Sequence, residues 1–136
     1  MTVIQRRTDW RPRLIAYVGG LRGARLDPGR HDCALFVAGA IDAMADVDLA
    51  RSWRGYTTFE EGLNALSAAG YDGLRGLADA NLPRVAAARA QVGDVALLRE
   101  EGQDALGIVQ GTWVWCVGRE RLGLLPRRRM LAAWSV

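Results

Sequence analysis

Residues 29–37 read Gly29-Arg30-His31-Asp32-Cys33-Ala34-Leu35-Phe36-Val37, and this stretch decides the first half of the fold. It continues the turn sequence Asp27-Pro28-Gly29, in which proline fixes one backbone dihedral and glycine frees the next. From Cys33 to Met44, apolar residues recur at helical spacing, the pattern of a helix with one buried face. Asp32 stands where a capping carboxylate belongs. The stretch therefore predicts a tight loop followed by an amphipathic helix that begins near Cys33.

Other helical signals lie on both sides of this helix. Asp9 can cap a helix in which the apolar positions of residues 10–21 form a single stripe. Residues 74–90 predict a short helix, a break marked by Pro83 and a connection to the next element.

A third helix is predicted from its capping residues. Thr57 with Glu60, and Thr58 with Glu61, provide two registers of a capping box ahead of an apolar stripe formed by Phe59, Leu63 and Leu66. Gly70 is well placed to end the helix. Both registers predict the same element, with its start shifted by one residue.

The second half of the chain has a sequence pattern typical of β-strands. Short apolar or β-branched runs, separated by turn residues, occupy residues 95–98, 106–109, 113–117 and 122–125. They predict an antiparallel meander of about four strands. Helices segregated from such a sheet define an α+β domain. We expect a single domain over residues 1–136, with a helical part at about 9–90 and a strand-rich part at about 92–136.

Composition narrows the function classes. A chain of 136 residues with 50% hydrophobic residues can bury a core without disulfide or metal support. Cys33 and Cys116 stand far apart beside a single histidine, too few ligands for a structural zinc site, and nothing points to a cofactor. No apolar run is long enough to span a membrane, and residues 1–13 lack a signal-peptide core. We expect a protein of the cytoplasm, or one exported without a signal peptide.

The net charge of +3 comes from eighteen basic residues that are all arginine, an excess typical of GC-rich coding. These arginines are scattered and form no aromatic-interleaved stripe of the kind that stacks bases. We therefore expect no nucleic-acid partner. A solvated basic surface can still meet an acidic partner.

Cys33 is the candidate for chemistry. A thiol in the first turn of a helix meets unpaired amide groups, which lower its pKa and raise its nucleophilic thiolate fraction. Papain-like enzymes use this arrangement together with a histidine base. A cysteine on the apolar face of a helix is also often a small buried hydrophobe, and periodicity alone leaves both interpretations open.

Three short motifs resemble the NlpC-type cell-wall cysteine peptidases. Residues 31–37 resemble their nucleophile motif Asp-Cys-Ser-Gly-Phe-Val, and residues 93–98 resemble their Gly-Asp-Leu-Val-Phe-Phe strand. Residues 105–109 resemble the His-Val-Gly-Ile-Tyr strand that supplies their base. The resemblance implies a papain-like fold in which the helix carrying Cys33 packs on the antiparallel sheet. It assigns candidate catalytic roles to Cys33, His31 and Asp32.

The chain departs from the peptidase pattern at the base. Ala105 stands where the peptidases carry histidine, and His31 is the only imidazole in the chain. His31 can instead satisfy backbone groups of the loop together with Asp32. Asp104 is a possible surrogate acid, although a surface role is commoner, and Asp94 suits a turn.

More narrowly, several segments resemble a small, functionally unassigned domain family associated with the tail gene clusters of tailed phages and prophages. They are residues 31–36, Arg54-Gly55-Tyr56, the strand at 107–111, the Gly-Leu pair at 123–124 and Ala133-Trp134. This resemblance implies a tail-tip or tail-assembly component that is made in the host cytoplasm, sits in the virion tail and contacts hub or distal tail proteins. One hypothesis is a docking module with a degenerate peptidase fold. The alternative is an active peptidoglycan peptidase with Cys33 as nucleophile. A generic cytoplasmic binding protein is a third.

Four residues are candidates for an interface. Trp113 and Trp115 alternate with Val114, so both rings face the same side of one strand. Trp53 and Arg54 belong to a segment predicted to be an exposed loop, and tryptophan and arginine are enriched at interface hot spots. Packing of the tryptophans in the core is the competing interpretation.

Overall fold

Four α-helices and six antiparallel strands make up residues 4–136, the part of the chain that the computed structural model describes. The helices are α1 (Trp10–Gly20), α2 (Cys33–Ala45), α3 (Phe59–Ala68) and α4 (Gly73–Asn81). The strands are β1 (Arg84–Val85), β2 (Val95–Glu100), β3 (Gln103–Val109), β4 (Trp113–Val117), β5 (Leu122–Pro126) and β6 (Ala132–Trp134). The predicted α+β class, with helices ahead of the sheet, is confirmed. Residues 1–3 of the predicted domain, which also open the polar segment 1–13, lie outside the described residues.

The predicted helix starts are only partly correct. Asp32 caps α2 by accepting a hydrogen bond from the Leu35 backbone N–H at 2.9 Å. Thr58 caps α3 by accepting from the Glu61 N–H at 3.1 Å, so the second capping register is the one used. The prediction that Asp9 caps α1 is wrong for its side chain, which makes no cap hydrogen bond. The Asp9 carboxylate pairs with arginine side chains nearby instead.

The sheet has the strand order β1-β6-β2-β3-β4-β5, and all of its pairings are antiparallel. The meander predicted from residue 92 onward corresponds to β2 through β5. Strands β1 and β6 were not predicted, and β1 falls inside the segment assigned to the helical part. At two and three residues, they are too short to show any alternation.

Both faces of the sheet are largely buried along β2 to β4. One face packs against the helices through Val95, Leu97, Leu106, Ile108 and Trp134, which are at most 1% exposed. The opposite face carries a second cluster that includes Ala96, Leu98, Val109, Val114 and Cys116. Because strands β2 to β4 are covered on both sides, they read as continuous apolar runs.

Two arginines connect distant parts of the chain around this core. Arg127, which follows β5, donates hydrogen bonds to the carbonyls of Gly111, Ala87 and Ala90 at 3.1, 2.9 and 2.6 Å. Ala87 and Ala90 lie just after β1, so Arg127 links segments that follow the two outer strands of the sheet.

Arg6 makes a similar connection next to the beginning of β2. Its guanidinium donates to the carbonyls of Val92 and Val136 at 2.7 and 2.9 Å and pairs with Asp94 at 2.9 Å. Asp94 also accepts the backbone N–H groups of Gln91 and Val136. The turn role predicted for Asp94 is confirmed. No helix within residues 4–136 is long and apolar enough to cross a membrane.

Candidate functional site

Cys33 is the first residue of α2 and lies between two adjoining cavities of about 160 and 380 Å³. Both cavities are lined by Cys33, Phe59, Gln103 and Asp104, and we call the combined depression the Cys33 cleft. Helix α2 places the sulfur there, while α3 and β3 supply the facing walls. The predicted nucleophile therefore borders a depression large enough to hold a ligand.

The smaller cavity of the cleft is apolar. Its lining includes Trp53, Tyr56, Leu66 and Leu74. Phe59 and Leu63 form its outer wall and remain 56% and 57% exposed, respectively. Of the three apolar α3 residues that follow the capping box, only Leu66 is buried. Exposed large apolar side chains around a cavity are typical of a binding surface.

The larger cavity of the cleft is lined by charged residues whose charges are already paired. Asp104 pairs with Arg99 at 3.0 Å, across the β2–β3 pairing. Glu101 pairs with Arg119 at 2.9 Å, and Glu100 pairs with Arg129. Asp104, considered above as a possible surrogate acid, thus has an arginine as its ion-pair partner.

Asp32 is held by structural hydrogen bonds. One carboxylate oxygen accepts the Leu35 N–H, and the other accepts the Gly29 N–H at 2.9 Å and the Tyr56 hydroxyl at 2.5 Å. Asp32 thus joins the tight loop, the start of α2 and the segment before α3. Its acceptor positions are used in holding the fold, which matches the loop-satisfying role considered for it.

His31 is not among the residues that line the Cys33 cleft. It is 8% exposed, and its backbone exchanges hydrogen bonds with Asp27 at 2.8 and 2.9 Å. Within residues 4–136, its Nε2 atom is buried without a hydrogen-bond partner. Burial lowers the pKa of the imidazole, opposed by the charge of Asp32. The structure does not bring His31 into the cleft where it would assist the thiol.

The thiol of Cys33 is harder to ionise than its place on the helix suggests. Burial raises its pKa to about 11, and the Asp32 carboxylate adds to the increase. The backbone N–H groups of Leu106 and Ala34 act in the opposite direction but are outweighed. The lowered pKa expected from the helix N-terminus is therefore wrong, because desolvation of the sulfur exceeds the effect of the amide groups.

Ala105 occupies the position on β3 where the resemblance places a base. It is 8% exposed, it lines the larger cavity together with Cys33, and Cys33 packs against the apolar cluster that contains it. Residue 105 thus contributes only a methyl group to the cavity that Cys33 also lines.

The four interface candidates divide between core and surface. The exposure expected for Trp53 is wrong, because this ring is 2% exposed and stacks on Tyr56 inside the apolar cavity wall. Arg54 is exposed and pairs with Asp48 at 2.9 Å. Trp113 is 44% exposed on β4, whereas Trp115 is half-buried against α1 and β5.

Several cleft residues were not predicted as site residues. Tyr56 belongs to a segment that resembles the phage-tail domain family, but its position in the sequence does not indicate a site residue. It reaches Asp32 from 24 positions away, and no local sequence pattern indicates this contact. Gln103 lines the cleft because β3 starts there. Cys116 was predicted as an inert buried thiol; it is 2% exposed, and burial raises its pKa to about 12.

The fold and the cleft define an α+β domain whose helix-start cysteine lies against an antiparallel sheet. The chain belongs to the family described as "Domain of unknown function (DUF6950)", whose profile matches residues 5–136. No curated protein matches the sequence significantly. Within residues 4–136, no group of three or more histidine, cysteine, aspartate or glutamate side chains is placed to hold a metal ion.

Proposed function

We propose that this domain is a docking module of a phage or prophage tail, built on a degenerate NlpC-type peptidase fold. The observation that carries the proposal is the Cys33 cleft, which is open and has one apolar cavity, with Ala105 at the position where the resemblance places the base. A cleft that keeps its binding wall but lacks the proton acceptor suits binding better than hydrolysis.

The state of the thiol supports a non-catalytic role. With a pKa of about 11, only about one Cys33 thiol in ten thousand is ionised at pH 7. A positioned general base contributes about 10²–10⁴-fold to catalysis, and none of the cleft walls supplies an imidazole. The two deficits act on the same step, which is the formation of the attacking thiolate.

The tail assignment is supported by sequence resemblance, which extends from the Cys33 motif to Ala133-Trp134. The expected partners are hub or distal tail proteins, and the expected location is the virion tail after synthesis in the host cytoplasm. The exposed side chains of Phe59 and Leu63 offer such a partner an apolar contact surface.

The second candidate is an active peptidoglycan peptidase. It is favoured by the position of Cys33 at a helix start inside an open cleft. In that reaction the sulfur attacks an amide carbonyl and forms a thioester, the amine leaves with a proton, and water then releases the acid.

Two measurements separate these functions. The wild type and Cys33→Ala are incubated with purified muropeptides, and each is also co-expressed with the hub and distal tail proteins of the same phage. We expect no cleavage by either protein, and a complex that survives Cys33→Ala but is lost when Phe59 and Leu63 are both changed to Asp. Leu131→Asp, at an apolar position that is 54% exposed elsewhere, serves as the control. Cleavage by the wild type that disappears in Cys33→Ala would establish the peptidase instead.

A further inference from the structure

A second apolar surface lies between α1 and β5 and shares no lining residue with the Cys33 cleft. It encloses a cavity of about 580 Å³ whose apolar lining is formed by Ile15, Val18, Trp115, Leu122 and Leu124. We call it the α1–β5 surface. Ile15 and Leu124 are 54% and 50% exposed, so the surface presents large aliphatic side chains to solvent. A contiguous exposed apolar patch on a protein surface often marks an interaction site.

Strand β5 is an outer strand of the sheet. The beginning of its outer edge is covered, because Arg25 forms an isolated antiparallel bridge with Arg121 and the Leu26 N–H donates to the Glu120 carbonyl at 2.7 Å. Beyond Leu122, no described strand pairs with this edge. The N–H of Gly118 donates to the carbonyl of Arg121 at 3.0 Å. Together with the register, this bond determines which residues of β5 form hydrogen bonds to β4 and which do not. Every second residue after Arg121 therefore bonds to β4, and the residues between them face outward. The carbonyls of Leu122 and Leu124, together with the Leu124 N–H, point away from the sheet.

An unpaired edge of this kind is a template for another strand. A strand added to β5 would place alternate side chains on the helix side of the sheet, directly over Ile15 and Val18. Backbone hydrogen bonds would then supply affinity, and the cavity would select the side chain that enters it.

The charge around the α1–β5 surface indicates the chemistry of the occupant. Arg22 and Arg121 line the cavity and are exposed, and no carboxylate lines it. Neither arginine forms an ion pair with another residue in the described part of the chain. Eight of the other sixteen arginines pair with a carboxylate in the described residues, as Arg99 and Arg54 do. Two uncompensated positive charges beside an apolar cavity complement a ligand that is both apolar and acidic.

We propose that the α1–β5 surface binds an extended acidic segment of a partner protein, which adds to β5 as a further strand. An apolar side chain of the segment enters the cavity, and neighbouring carboxylates on the same face pair with Arg22 and Arg121. This inference concerns a different surface from the Cys33 cleft and does not depend on the function proposed for the cleft.

A second copy of this chain is a poorer occupant than an acidic segment. Antiparallel pairing of β5 with its own copy, centred on Leu124, would place Arg121 opposite Arg127 and Leu122 opposite Pro126. The first pair brings together like charges, and proline offers no N–H to the new ladder.

Peptide binding tests the proposal. Two labelled eight-residue peptides are titrated with the whole protein at low salt, with fluorescence anisotropy as the readout. The acidic peptide is Glu-Ser-Val-Ser-Glu-Ser-Val-Ser, which places Glu and Val on the same face of a strand, and the basic peptide has Arg in place of each Glu. We expect the acidic peptide to bind at least tenfold more tightly than the basic one. Changing both Arg22 and Arg121 to Glu should weaken it at least tenfold, whereas Arg51→Glu, at an exposed residue outside the surface, should not.

Backbone pairing has its own readout. Leu124→Pro removes an outward N–H at a sheet edge, where proline is tolerated, and should weaken the acidic peptide at least tenfold. In the wild type, the amide resonance of Leu124 should be among those that shift when this peptide is added. Equal binding of the two peptides, or a Leu124 amide that does not respond, would overturn the proposal. A dimer in light scattering that Leu124→Pro dissociates would also overturn it and assign the surface to a second copy.

Discussion

Cys33 should react with iodoacetamide about a hundredfold more slowly at neutral pH than an ordinary thiol. The magnitude follows from the burial of its sulfur, which raises the pKa from the ordinary value of 9.0 to about 11. Since only the thiolate is nucleophilic, two pKa units remove about a factor of one hundred from the reactive fraction below pH 9. Because Cys33 lines both cavities of the cleft, we expect the reagent to reach it, and the midpoint of the pH profile measures ionisation separately from access.

The assay follows the alkylation rate from pH 6 to pH 11 in a Cys116→Ala background, which leaves a single thiol. We expect a rate that is still rising at pH 10. Ala105→His in the same background adds an imidazole beside the sulfur and should lower the midpoint of the profile by at least one pH unit, with a matching gain in rate at pH 7. Ala105→Gln, a side chain of similar size that does not titrate, is the matched control.

A midpoint below about pH 8.5 in the Ala105 protein would refute the reasoning. It would mean that the amide groups at the start of α2 outweigh desolvation, and the peptidase function would then become the better proposal. If Ala105→His and Ala105→Gln gave the same profile, the assignment of residue 105 to the base position would be contradicted.

Three further predictions concern stability, each measured by urea unfolding. Asp94→Ala should lower the free energy of unfolding by about 3–5 kcal/mol, because it leaves the half-buried Arg6 guanidinium and two backbone N–H groups without their acceptor. Asp104→Ala, which removes a more exposed ion pair, should lower it by less than about 1 kcal/mol. Equal losses would contradict the structural role assigned to Asp94. Tyr56→Phe removes a donor to a buried carboxylate and should cost about 1–3 kcal/mol, while Tyr71→Phe should stay within about 0.5 kcal/mol. Burial raises the pKa of Cys116 to about 12, so the unfolded chain loses this proton at lower pH than the folded chain, and stability should fall above about pH 9 by up to about 1.4 kcal/mol per pH unit. The fall should be shallower in Cys116→Ala, and identical slopes would show that Cys116 does not contribute.

The features that the sequence predicts well are those with a local physical cause. Helix α2 follows from a periodic apolar face and a capping carboxylate, and both lie within residues 32–44. Strands β2 to β5 follow from apolar runs bounded by turns. By contrast, β1 and β6 exist because each pairs with the other and β6 also pairs with β2, a contact that spans more than thirty residues in sequence. Nothing within their few residues could indicate it.

The candidate site shows the same division. The position of Cys33 at a helix start is local and was predicted, but the pKa of its thiol depends on what covers the sulfur. The burial of Trp53 depends in the same way on packing against distant elements, including Leu66 of α3. Tyr56 reaches Asp32 only because the chain folds back after α2. Local sequence patterns predict which element carries each side chain. The pKa of the thiol and the burial of the tryptophan depend on the residues that pack around them in the folded chain, and these are not visible in a local pattern.

The two arginines that connect distant segments of the chain give the all-arginine composition a structural consequence. Arg6 and Arg127 each contact three separate acceptors, which their planar guanidinium groups reach in several directions at once. An ammonium group concentrates its donors on one atom and could not span those acceptors. At these two positions, a lysine would therefore lose contacts that the guanidinium makes, and the arginine-only composition of the chain supplies a donor geometry that the fold uses.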